Sequence, residues 1–201
     1  MSRVGRTIIK IPANVKPEIV YGYDKQRMIS VTGPNGVLVQ QIKDPIWVEI
    51  AEGQIELKRE DDQPTSRSLH GLYNRLIQNM IKGVTEGFTK YLFCNGVGYK
   101  AATKPNGGLT LSLGMSHPVD VPPTEGVKLG VLTPQEVQAL GFGKASATVI
   151  LSVKGICKET VGEVAAKIRA QRPVEPYHLY GIRYSDEYIA KKESKSGAKK
   201  K

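Results

Sequence analysis

The chain is poor in the residues that build metal centres, disulfide frameworks and membrane spans. It holds two cysteines, Cys94 and Cys157, far apart and outside any Cys-x-x-Cys spacing. Such a pair reads as two buried thiols in a reducing compartment, not as a disulfide or a zinc site. Its three histidines, His70, His117 and His178, stand in no HxH, HExxH or Cys/His arrangement, so no metal is expected. No run of 18 apolar residues occurs, which argues against a membrane-spanning helix. The opening MSRVGRTIIKIP lacks the apolar core of a secretory signal.

Catalytic groupings are equally scarce. Ser116 and His117 are adjacent, and neighbours in an extended chain point to opposite faces, a poor arrangement for nucleophile and base. His70 follows Leu69 in a helical pattern and is expected on the helix surface. Gly141-Phe142-Gly143-Lys144 fails as a phosphate loop, because Gln138 and Ala145 replace the first glycine and the Ser/Thr of GxxxxGK. These absences argue against an enzyme, and no cofactor is expected.

What is present is positive charge, and its placement is informative. Of the net +10, residues 1–16 carry +4 and residues 150–201 carry +6, while 17–82 and 83–149 carry −1 and +1. Cations gathered at the two ends of a chain point to a polyanion partner. Nucleic acid fits better than an anionic membrane, since no basic amphipathic helix with exposed aromatics occurs.

The middle of the chain alternates between strand and helix patterns. RMISVTG, the turn Gly33-Pro34-Asn35-Gly36 and VLVQQI read as a hairpin; IWVEIA and QIELKRE follow. Leu69, Leu72, Tyr73, Leu76, Ile77, Met80, Ile81 and Val84 form the stripe of a helix over roughly 66–83, with Thr65, Ser66 or Ser68 as N-cap. The plan then recurs. YLFCNGVGYKAAT, LTLSLG, VDVPP, VKLGVL and ATVILSVKG are strand-like, and Val161, Val164, Ala165 and Ile168 stripe a helix near 160–171. Thr160 and Glu163 have capping-box spacing there, and Pro173 ends the helix. Gly33 pairs with Gly114 at an offset of 81, whereas the helices pair at 92, which places a surplus of 11 residues in the polar segment 133–146. The expected fold class is therefore α+β, an internal duplication of an antiparallel sheet plus one helix. Its expected parts are a basic N-terminal arm (1–16), two repeats (17–84 and 85–173), and a basic loop and tail (174–201).

The stretch from Lys154 to Tyr184 gathers these signals, and it also carries a family resemblance. Ile168, Arg169, Arg172, Pro173, Glu175, Pro176, Tyr177, Gly181, Ile182, Arg183 and Tyr184 resemble the C-terminal signature of the bacterial-type sixth protein of the large ribosomal subunit. The opening MSRVG…IP, the Gly-Val-Gly-Tyr at 96–99 and the Ser-His-Pro at 116–118 resemble that family as well. His178, Leu179 and Tyr180 depart from it, standing where the family has Lys, Gly and Lys, and the family does not usually carry so long a 133–146 segment. The resemblance implies two repeats and a structural role. It implies binding to the 3′ part of large-subunit rRNA near the sarcin–ricin loop and stalk base, beside neighbouring ribosomal proteins and close to passing translation factors. A ribosome of a bacterium, mitochondrion or plastid is the implied location, and the match starting at Met1 leaves no visible room for a cleaved leader.

The candidate RNA-binding residues follow from charge, rigidity and resemblance together. Arg169, Arg172 and Arg183 are expected on phosphates, with Lys154 and the tail lysines Lys191, Lys192 and Lys195. Arg3, Arg6 and Lys10 serve the same purpose if the N-terminal arm lies on RNA; a frayed end is the alternative. Tyr177, Tyr180 and Tyr184 either stack on bases or pack beneath the loop. Tyr99, Lys100, Ser116 and His117 form a second tier, resting on the resemblance. The competing reading is a non-ribosomal adaptor whose basic tail meets RNA or anionic lipid.

Overall fold

A computed structural model of the chain describes residues 4–22, 26–51, 53–144 and 147–193. They fall into two compact units: the stretch up to Phe88 with Ile156–Lys158, and Thr89–Gly155 with the chain from Glu159 onward. The architecture is α+β.

The first unit holds two three-stranded antiparallel sheets. β2 (Lys16–Tyr21), β3 (Arg27–Gly33) and β4 (Gly36–Gln41) lie in sequence order; β6 (Gln54–Arg59) lies between β1 (Ile9–Lys10) and β5 (Ile46–Ala51). Alternation sets the faces: Ile29 and Val31 are buried while Thr32 between turn and core is exposed. Helix α1 (Pro64–Thr85) buries Tyr73, Ile77, Met80, Ile81 and Val84 against these strands. It starts at Pro64, whose fixed φ suits the first helical turn; Gln63 is the N-cap without a side-chain bond, so Thr65, Ser66 and Ser68 lie inside the helix instead.

His70 is a correction to the surface position read from the sequence. It is 4% exposed, with Nε2 3.0 Å from the Leu57 carbonyl oxygen and Nδ1 3.1 Å from Arg59 Nη1. One turn on, the buried Asn74 donates from Nδ2 to the carbonyls of Thr7 (2.8 Å) and Gly5 (3.3 Å). A Cβ on Gly5 would stand 2.5 Å from the His70 ring. Buried polar side chains of α1 thus fasten the leader, and with Ile9 and Val15 in the core, residues 5–15 are built into this unit, not a free arm or frayed end.

The second unit pairs a four-stranded sheet with a three-stranded one. The larger runs β11 (Val127–Val131), β12 (Val149–Gly155), β7 (Phe88–Asn95), β13 (Gly181–Tyr184); the smaller runs β10 (Val119–Val121), β9 (Leu109–Ser112), β8 (Lys100–Thr103). Helix α3 (Lys158–Gln171) buries Val161, Val164, Ala165 and Ile168, the stripe read from the sequence. Thr160 lies two residues inside it and so does not cap it. Two features differ from expectation. Residues 181–184 form a strand antiparallel to β7, where the sequence reads as loop. The 133–146 segment contains a short helix α2 (Pro134–Ala139) and a 3-10 turn at Phe142–Lys144, and the Phe142 ring meets Tyr91 and Phe93 edge-on at 5.2 and 5.1 Å. That insertion covers aromatic surface. Each unit thus has two sheets and one long helix, an arrangement compatible with duplication of one module.

Candidate nucleic-acid interface

The segment joining α3 to β13 is stapled before it meets any partner. The Arg172 carbonyl accepts from the Ile182 N–H at 2.8 Å, closing the loop at its base. Inside it, Glu175 N–H donates to the Tyr180 carbonyl at 2.9 Å and Leu179 N–H to the Glu175 carbonyl at 3.0 Å. Asn95 Nδ2 donates to the Leu179 carbonyl at 3.2 Å, and Lys192 N–H to that of Pro176 at 3.0 Å. Gly181, at φ 135°, allows the tight return: a Cβ there would lie 2.7 Å from the Pro173 oxygen and from Val174 Cα. The loop turns its rings outward. Tyr177 and Tyr180 are 44% and 41% exposed, and His178 stacks on Tyr180 at 5.6 Å with Nδ1 3.3 Å from Glu175 Oε2.

The cations around this loop differ in what they touch. Arg172 is exposed and makes no ion pair among the described residues. Arg183, half-buried, lies over the Phe93 ring at 5.6 Å. Arg169 is engaged inside the protein: Nε donates to Glu187 Oε2 at 2.9 Å and Nη2 to Oε1. The same carboxylate accepts the Tyr184 N–H at 3.1 Å. Arg169 holds the Glu187 carboxyl below the usual carboxylate range, and the carboxylate in turn raises Arg169. Two cations approach the Tyr184 ring, Lys90 Nζ at 4.9 Å and the Arg169 guanidinium at 5.6 Å from its centre. Tyr184 is therefore a packed residue at the edge of the sheet, whereas Tyr177 and Tyr180 present open ring surface.

The other candidates are spread through the structure. Lys154 is exposed on β12, directly across from Lys128 of β11. Lys100 opens β8 and is exposed. Ser116 and His117 are exposed, with Oγ 3.4 Å from Nδ1, so the extended-chain reading of opposed side chains does not hold for them. Tyr99, a second-tier RNA-contact candidate, lies inside the fold. It is 6% exposed, and its ring lies where a Cβ on Gly96 would be, 2.5 Å away, so the Gly-Val-Gly-Tyr segment is a packing device. Lys191 and Lys192 are exposed beyond the loop, and Arg6 is exposed in the first unit. Arg3 and Lys195 lie outside the described residues. Sequence reasoning missed Lys90, Lys128 and Glu187, which acquire their roles only through strand register and tertiary approach.

Comparison with known proteins decides the family. The family model of ribosomal protein L6 matches residues 11–87. Full-length similarity extends well beyond that stretch. The large ribosomal subunit protein uL6 of Desulfitobacterium hafniense is 42% identical over 200 residues, covering 100% of this chain and 98% of that protein. Those of Moorella thermoacetica and Geobacter metallireducens are each 43% identical over 199 residues, covering 99% of this chain and 98% and 100% of theirs. The chain belongs to the uL6 family. Membership in uL6 takes in both units, including the C-terminal stretch beyond the matched 11–87, and uL6 is a structural family, not an enzymatic one.

Proposed function

We propose that the chain is a structural constituent of the large ribosomal subunit. It binds the 3′ part of large-subunit rRNA near the sarcin–ricin loop and the stalk base, next to other ribosomal proteins and within reach of translation factors. The observation that carries the reading is the full-length similarity to uL6 proteins, whose name places them in that subunit. The bacterial source of these relatives favours a bacterial or bacterial-type organellar ribosome. The site geometry supports an electrostatic mechanism. Arg172 and the exposed lysines of the second unit meet phosphates and release counterions, while the stapled loop offers Tyr177 and Tyr180 to unpaired bases at little ordering cost. Arg169 contributes by holding Glu187 and Tyr184, and so the start of the tail, in place.

The test is sedimentation of lysate through sucrose at moderate and high salt with quantitative detection of the chain. One copy per large subunit, retained at salt that strips loose factors, is the expected result. A chain left at the top of the gradient would overturn the reading in favour of a non-ribosomal adaptor.

A further inference from the structure

Lys128 and Lys154 form a pair that the C-terminal stretch does not explain. They are register partners on β11 and β12, and both are exposed. Directly opposite residues of an antiparallel pair have Cβ atoms about 4.5–5.5 Å apart, a spacing at which two like charges repel. Two other lysines of this unit relieve their charge locally: Lys104 pairs with Asp120 at 2.8 Å and Lys167 with Glu163 at 2.7 Å. Among the described residues, neither Lys128 nor Lys154 makes an ion pair.

A carboxylate does lie within electrostatic range, and it is held elsewhere. Glu136 Oε2 accepts from Thr133 N–H at 2.8 Å and from Thr133 Oγ1 at 2.9 Å, closing the capping box that starts α2. Those two bonds lower its pKa most, and the charge of Lys154 adds a smaller contribution. Edge protection accounts for only half of the pair. β11 is an outer strand, where lysine discourages pairing with another chain, but β12 is flanked on both sides by β11 and β7.

We infer that Lys128 and Lys154 jointly grip backbone phosphate of the bound RNA, as a second contact separate in sequence from the 168–184 signature. The two flexible ammonium groups approach one anion from neighbouring strands, and the anion removes the repulsion that the free protein carries. This inference rests on the RNA-binding reading above.

The test uses the full chain with transcribed large-subunit rRNA, comparing wild type with K128Q, K154Q and the double variant across a salt series. Each lost phosphate contact lowers the slope of log affinity against log salt by about 0.7–0.9. The double variant, having lost that one shared contact, is expected to lose about 0.7–0.9 of slope and at least several-fold in affinity, with its thermal midpoint unchanged or raised. A double variant with wild-type slope and affinity would overturn the pair. So would weaker binding with an unchanged slope and a lowered midpoint, which would mark the lysines as structural. A wild-type chain that fails to bind the RNA overturns the RNA reading and the pair with it.

Discussion

The two units are built to one plan and use their charge differently. Counting the whole sequence, the first carries thirteen Lys and Arg against ten Asp and Glu, the second sixteen against nine. In the first, the two arginines Arg27 and Arg59 are absorbed by the fold. Arg27 pairs with Asp44 and stacks on Trp47 at 3.8 Å, and Arg59 pairs with Asp62 while reaching His70. In the second, Arg172, Lys100, Lys128 and Lys154 stand exposed without an ion pair among the described residues. A surface cation with a carboxylate beside it adds little net potential, whereas one left open adds to the field that draws a polyanion. The contrast teaches that the same architecture can spend its arginines on its own packing or reserve them for a partner.

The largest expected effects test whether the plan is shared at the level of the core. Ile77 of α1 and Ile168 of α3 are both fully buried, each on its helix's apolar stripe. Ile77→Ala and Ile168→Ala should each cost about 2–5 kcal/mol, the range for losing a buried aliphatic side chain with partial relaxation. Urea denaturation measures both, and the single tryptophan, Trp47, reports by fluorescence on the first unit. A cost under about 1 kcal/mol at either position, well below that range, would show that the two cores are not equivalent.

The next effect should separate the units by function. Removing two cations from the second unit, Arg172→Gln with Arg183→Gln, is expected to lower the salt slope of rRNA binding by about 1–2. Removing two from the first, Lys58→Gln with Lys82→Gln, should leave that slope within about 0.3 of wild type, because both cations sit beside carboxylates of their own unit. Equal losses from the two double variants would erase the distinction between the units.

Much of this contrast was legible in the sequence, and the gaps have physical causes. Both helix stripes, the hairpin at Gly33–Gly36 and the basic C-terminal stretch follow from local periodicity and turn chemistry, which a sequence displays directly. Of the two cysteines read as buried, Cys94 is, and burial pushes its thiol up to about 12, whereas Cys157 is only partly buried. Several of the differences concern partners distant in sequence. His70 looked exposed by its neighbour Leu69, yet the Leu57 carbonyl and Arg59 make a buried site for it. Tyr99 read as an RNA-contact candidate from the family resemblance, yet it is buried with its ring against Gly96. β13 is four residues long after a proline-rich turn, too short for alternation to announce a strand, and it exists because β7 offers an edge. Phe142 sits in a polar segment, and only the fold shows that its ring covers Tyr91 and Phe93.

The smallest expected effect concerns Arg169, the one signature arginine that behaves like those of the first unit. Its contact with Glu187 spans 18 residues and is half-exposed, so it should contribute no more than about 1 kcal/mol. The sign of its pH dependence follows from the lowered Glu187 pKa. The carboxylate is more acidic folded than unfolded, so its contribution is complete above the ordinary value of 4.5 and disappears as pH falls through the depressed one. Acid titration of the unfolding midpoint should therefore show a loss in wild type that Glu187→Gln lacks. The same variant frees the Arg169 guanidinium. If Arg169 only positions the loop, Glu187→Gln weakens rRNA binding slightly without steepening its salt dependence. A steeper slope in Glu187→Gln would show that the freed arginine has gained a phosphate, and that Glu187 restrains a cation the interface could otherwise use.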